Sequence, residues 1–74
     1  MAKTYVTLGQ NHMHRINGKV IDKDCVAVIE CSDAQEGRKI AFELFGPQWC
    51  FEYHESQWKA SNLKYFPRGY IEVN

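Results

Sequence analysis

The chain has 74 residues, with 9 Lys plus Arg against 9 Asp plus Glu, so its formal net charge is zero. That balance excludes a strongly basic polyanion binder and an acidic DNA mimic in their simplest forms. With 45% hydrophobic and 24% charged residues, the chain is too apolar to be disordered and too charged to be a membrane segment, so residues 1–74 read as a single compact domain.

Lys3 to Leu8 alternates, with Tyr5 facing one way and Val6 and Leu8 the other, and predicts a first strand. Gly9-Gln10-Asn11 reads as a turn. Asn17-Gly18 is the strongest local signal, because both residues tolerate the positive φ that a type I′ turn requires. It predicts a hairpin joining His12–Ile16 to Lys19–Lys23, with Ile16 opposite Lys19, Arg15 opposite Val20 and His14 opposite Ile21. Asp22-Lys23-Asp24 reads either as a second turn or bulge, or as the middle of one long bent strand from Lys19 to Cys31. Cys25 to Cys31 is an apolar strand.

The helix follows. Ser32 or Asp33 is its N-cap, each with Gln35 or Glu36 at capping-box spacing. Ala34, Gly37, Ile40, Ala41, Leu44 and Phe45 form an apolar stripe. Gly37 costs up to about 1 kcal/mol relative to Ala, which is acceptable where that face packs closely on a sheet. Gly46-Pro47 ends the helix. Trp49, Phe51 and Tyr53 alternate with Cys50, Glu52 and His54 as a half-buried strand. Residues 55–62 are polar except for Trp58 and Ala60 and read as a loop. Leu63–Phe66 reads as a short strand, Pro67-Arg68-Gly69 as a turn, and Tyr70–Val73 as a terminal strand. The expected fold class is α+β: an antiparallel sheet of four to five strands with one helix packed on one face, in the order β-β-β-α-β-β.

The three cysteines, Cys25, Cys31 and Cys50, are odd in number and cannot all pair within the chain. The first residues lack the apolar segment of a secretory signal, and the longest apolar run, Cys25 to Ile29, is far short of a membrane span. A cytoplasmic protein with free thiols and no membrane partner is expected. His12, His14 and His54 accompany the cysteines, but no two cysteines are closer than six positions. Structural zinc sites usually begin with a close pair, so no metal and no cofactor are expected. A Cys50/His54 couple needs a bend in its strand, and no glycine-rich loop stands beside it. No enzyme activity is expected.

Two binding readings remain. Lys59, Lys64 and Arg68 are interleaved with Trp58, Tyr65, Phe66 and Tyr70, and Arg15, Lys19 and Lys23 gather on the hairpin. Interleaved cations and aromatics suit stacked single-stranded bases, which makes a small RNA- or single-stranded-DNA-binding domain the alternative. Zero net charge and nearby acids weigh against it. Trp, Tyr and Arg also dominate protein-interface hot spots. Trp58 stands among polar neighbours, either as an anchor folded onto the core or as an exposed recognition residue. The leading expectation is a protein partner, contacted by Trp58, Lys59, Lys64, Tyr65 and Arg68, with Arg15 and Lys19 as a second contact. Homodimerisation is compatible with either reading.

The run from Ala41 to Tyr53 (AFELFGPQWCFEY) and the tail from Lys64 to Val73 (KYFPRGYIEV) resemble small, single-domain phage and prophage proteins. Together they cover about a third of the chain. The class includes many anti-CRISPR proteins, compact α+β inhibitors that block a defence complex by occupying a protein surface. The resemblance therefore implies a host-directed accessory protein, a phage-type inhibitor that sterically blocks a bacterial defence or regulatory complex. It assigns no functional residue.

Overall fold

The computed structural model describes residues 2–9, 13–46 and 51–74. Among these described residues, six strands, one α-helix and one 3₁₀-helix follow in the order β1 (Ala2–Thr7), β2 (His14–Ile16), β3 (Lys19–Ile21), β4 (Cys25–Cys31), α1 (Ala34–Phe45), β5 (Phe51–His54), the 3₁₀-helix (Ala60–Tyr65) and β6 (Gly69–Glu72). Four strands form one sheet in the order β5-β1-β4-β6, and β2 pairs with β3 in a separate ribbon. The α+β class with one helix on one face of a four-stranded sheet is as expected. The sheet is mixed, however: β1 runs antiparallel to both β4 and β5, while β4 and β6 are parallel.

That parallel pair dictates the layout of the second half. β5 and β6 lie at opposite edges and point the same way. The chain leaving β5 must therefore return along the sheet before β6 can begin. Residues 55–68 make that return as a strap across the face opposite α1. They contain the 3₁₀-helix, which replaces the strand predicted at Leu63–Phe66. Those residues cross the sheet, and no neighbouring strand lines up with them.

The faces sort by strand alternation. Val6 of β1, Leu8 just after it, Cys25, Ala27 and Ile29 of β4, and Val73 after β6 pack with Ala41 and Phe45 of the helix, in one buried cluster. Ile21 joins it from the ribbon. Tyr5, Thr7, Val26, Val28, Phe51, Tyr53 and Tyr70 alternate with these and take the other face. β4 is central and covered on both sides, so all of Cys25–Ile29 is buried. Its unbroken apolar run is the signature of a strand without a solvent face.

The helix begins where the capping signal places it. Asp33 is the N-cap: its Oδ1 accepts the Glu36 N–H at 2.8 Å, and Glu36 Oε1 accepts the Ser32 N–H at 2.8 Å. Gly46 ends the helix with φ 59° and donates its N–H to Phe42 O at 2.9 Å. Of the predicted stripe, Gly37, Ala41 and Phe45 are buried, Ile40 and Leu44 half-buried, and Ala34 exposed. Arg38 reaches Glu52 of β5 at 3.9 Å.

The ribbon has the predicted register, with Asn17 and Gly18 at φ 51° and 79°. Its tip is tied to the end of β6: Asn17 Nδ2 donates to Val73 O at 3.1 Å and Lys19 Nζ to Glu72 O at 2.9 Å. The Asn74 amide extends β6 beside β4, exchanging two 2.9 Å hydrogen bonds with the Glu30 backbone. Among the described residues, no helix is long and apolar enough to cross a membrane.

Candidate functional site: an aromatic groove on the second sheet face

The strap is held to the sheet by aromatic rings. Trp58 stacks on Tyr5 with ring centres 5.3 Å apart and planes 20° apart. Tyr53 stands 5.5 Å away, Phe66 6.3 Å and Tyr70 6.4 Å. Trp58 Nε1 donates to Tyr70 Oη at 2.9 Å, and Tyr70 also packs on Tyr5 at 5.6 Å. Offset and tilted pairs like these contribute about 0.5–1.5 kcal/mol each beyond the area they bury. The sequence left Trp58 open between an anchor and an exposed recognition residue; in the structure it is half-buried and serves as the anchor.

The local cause is the turn after β5. Gln57 N–H and Trp58 N–H both donate to His54 O, at 2.8 and 3.1 Å, and Gln57 Oε1 accepts the His54 N–H at 3.2 Å. This hooks the chain over the sheet edge and drops the indole onto Tyr5.

Two hollows flank the Trp58–Tyr5 stack. A groove of about 350 Å³ is lined by Thr7, Phe51, Tyr53, Trp58, Asn62, Tyr65 and Phe66. A smaller one of about 200 Å³ is lined by Lys3, Tyr5, Val28, Tyr70 and Glu72. The larger groove keeps a wet rim: Phe51 is 58% exposed and Tyr65 67%. Large rings left this open beside a preassembled aromatic floor mark a surface suited to a partner. A hollow of about 360 Å³ at the start of α1, lined by Ser32, Asp33, Gln35, Glu36 and Lys39, is less apt. There the Ser32 and Glu36 N–H groups are already taken by the Glu36 and Asp33 carboxylates.

The predicted contact residues divide. Trp58 and Tyr65 line the groove. Lys64 stands beside it with its ammonium 5.2 Å from the Tyr65 ring centre, and Lys59 is exposed immediately after Trp58. Arg68 serves the fold. Its guanidinium meets Asp22 Oδ2 at 3.1 Å and its N–H donates to Asp24 O at 2.8 Å, pinning the end of the strap to the turn before β4. Lys19 is engaged at β6, and Arg15 is exposed on β2. Neither lines the groove. Sequence reasoning missed Phe51, Tyr53 and Asn62 as lining residues. The alternation of Phe51 and Tyr53 placed them on one face, but what lies opposite that face depends on the strap.

The Asp22 carboxyl is held below the usual aspartate value. The Asp24 N–H donated to its Oδ1 at 3.0 Å is the main cause; partial desolvation opposes it, and the Arg68 guanidinium adds to the lowering. A carboxyl with a depressed folded pKa stabilises the fold above its unfolded value of about 3.9, and that contribution is lost as pH falls through the folded value. Asp22→Asn is therefore expected to lower the urea midpoint at pH 7 by the equivalent of up to about 1 kcal/mol, the range for a partly exposed pair. The gap from wild type should narrow as pH falls below about 3.9, the unfolded value. A gap that is unchanged there would remove the ion pair from the account.

Cys25 and Cys31 are buried free thiols. Burial pushes the Cys25 thiol up and outweighs the Asp22 N–H donated to its Sγ at 3.3 Å, which pulls the other way, so Cys25 is a packing group. Among the described residues no three His, Cys, Asp or Glu side chains are grouped to hold a metal ion. His12, Pro47, Trp49 and Cys50, and with them the His12/His14 and Cys50/His54 readings, lie outside the described residues. No protein-family model, no curated protein and no solved structure matches the chain.

Proposed function

We propose that the protein is a non-enzymatic protein-binding module that acts by occupying a partner's surface through the aromatic groove. The carrying observation is the pairing of two exposed rings, Phe51 and Tyr65, with a floor of Tyr53, Trp58 and Phe66 already packed in place. Preassembly lowers the ordering cost of association. The balanced charge and the commitment of Arg68, Lys19 and Lys23 to internal partners leave few cations for phosphate contacts. This favours protein over RNA or single-stranded DNA. The likeness of the 41–53 and 64–73 segments to small phage proteins supports a role as a phage-type inhibitor of a bacterial defence or regulatory complex, and Arg15, exposed on the ribbon and not lining the groove, serves as the control position.

The test is affinity capture from bacterial lysate, read by mass spectrometry, with wild type, the double variant Phe51→Ala/Tyr65→Ala and Arg15→Ala. Both ring positions are exposed, so the double variant is expected to fold and to lose at least about nine-tenths of the captured protein, a change of about 1.4 kcal/mol or more. Equal capture by wild type and double variant overturns the assignment. Tight binding of a single-stranded oligonucleotide at physiological salt, with a steep salt slope, would favour the nucleic-acid reading instead.

A further inference from the structure

The groove's own chemistry narrows what it can hold. Its walls are rings, and its polar groups are sparse: the Thr7 hydroxyl and the Asn62 amide. Lys64 stands beside the lining ring of Tyr65, and Lys59 is exposed next to Trp58 in the chain. Lys59 and Lys64 form no ion pair among the described residues. The nearby acids Asp22 and Asp24 are engaged by Arg68 and Lys23, and the Glu52 carboxylate lies toward Arg38 on the helix side. Residues 55–66 thus offer two unpaired ammonium groups against one acid, Glu55.

Among the described residues, part of the backbone beside the groove is also unpaired. Glu55 N–H donates to Lys3 O, so the alternation of an antiparallel ladder turns the backbone groups of Tyr53 and Phe51 toward β1 and those of Glu52 and His54 outward. The backbone N–H and C=O of His54 are taken by the turn that follows it. The N–H and C=O of Glu52 lie on the outer edge of the sheet, between two groove walls, with no hydrogen-bond partner among the described residues. The opposite edge is occupied, since Lys19 and Asn17 bind the carbonyls of Glu72 and Val73.

We infer that the groove takes an extended segment of a protein partner carrying one aromatic or large aliphatic side chain flanked by carboxylates. The side chain sits between Phe51 and Tyr65, the flanking acids face Lys59 and Lys64, and the peptide backbone pairs with Glu52, in the manner of strand addition. This rests on the protein-binding reading above and specifies the partner's chemistry. A nucleic-acid strand fits less well. Two phosphate contacts at about −0.7 each give a shallow salt slope, and one amide and one hydroxyl supply little to read base edges.

Fluorescence anisotropy with labelled probes tests it. The probes are the peptide Asp-Glu-Asp-Phe-Asp-Glu-Asp, its Phe-to-Ala counterpart, a Lys-flanked Phe peptide and a ten-nucleotide oligo-dT. The acidic Phe peptide is expected to bind at least about tenfold tighter than each of the others. Lys59→Glu/Lys64→Glu should abolish that preference, while Lys39→Glu on α1 should leave it intact. Equal binding of acidic and basic peptides, tighter binding of oligo-dT, or no effect of the Lys59/Lys64 reversal overturns the inference. If Phe51→Ala/Tyr65→Ala loses its captured protein while the peptides show no preference, the protein-binding reading stands and this assignment fails.

Discussion

Trp58→Ala is expected to lower the thermal midpoint by about 10–20 °C and to abolish partner capture. The indole touches Tyr5, Tyr53, Phe66 and Tyr70 and is the main tie between strap and sheet. Truncating a buried Trp costs about 3–5 kcal/mol. Trp58 is half-buried, so a value near 2–3 kcal/mol is apt, and each kcal/mol moves the midpoint of a domain this size by about 4–8 °C. Trp58→Phe separates the two contributions. It keeps a ring on Tyr5 but removes the donor to Tyr70 Oη, which should cost about 1 kcal/mol. Near-UV circular dichroism of Tyr5 and Tyr70 should change strongly in the Ala variant and weakly in the Phe variant. A Trp58→Ala protein as stable as wild type would mean that the strap is held by something other than its rings.

Gly37→Ala is expected to destabilise, although Ala is the better helix former. A Cβ at Gly37 would overlap Thr4 Oγ1, and would stand 2.8 Å from Thr4 Cβ and 3.1 Å from Cys31 Sγ. The Thr4 hydroxyl can rotate away, but its Cβ is fixed to β1 and cannot. The helix must lift or the strand must shift, at an overpacking cost of about 1–3 kcal/mol. The helix-propensity gain returns about 1 kcal/mol. A net loss of up to about 2 kcal/mol, or up to about 15 °C in midpoint, follows. A neutral or raised midpoint would place the helix further from the sheet than the structure does.

The parts of this fold that were legible in the sequence are those carried by neighbouring residues. Asn17-Gly18 determined the ribbon's turn and register, Asp33 and Glu36 marked the start of the helix, and the spacing of Gly37, Ala41 and Phe45 marked its buried side. The apolar run Cys25–Ile29 identified the central strand. The strap was not legible, because its course depends on β6 pairing with β4 across 44 residues, as Cys25 with Gly69, and no local pattern encodes that. For the same reason Leu63–Phe66 read as a strand on composition alone. Trp58 belonged to the core through Tyr5 and Tyr70, 53 and 12 positions away, so its polar neighbours gave no hint. The groove was half legible: Trp58 and Tyr65 were expected, while Phe51, Tyr53 and Asn62 became lining residues only once the strap lay beside them. The ion pair of Arg68 was hidden for a similar reason, since its acid partner Asp22 lies 46 residues away.

Partner binding is expected at the aromatic groove and not on the outer face of the helix or on the ribbon. Titrating the captured partner into uniformly ¹⁵N-labelled protein tests this residue by residue. Perturbation is expected at the Trp58 indole N–H and at the amides of Phe51, Tyr53, Asn62 and Tyr65. Signals of Arg38, Phe42, Ile16 and Lys19 should stay in place. Shifts centred on Arg38 and Phe42, or on the ribbon, with the Trp58 indole signal unmoved, would contradict the account.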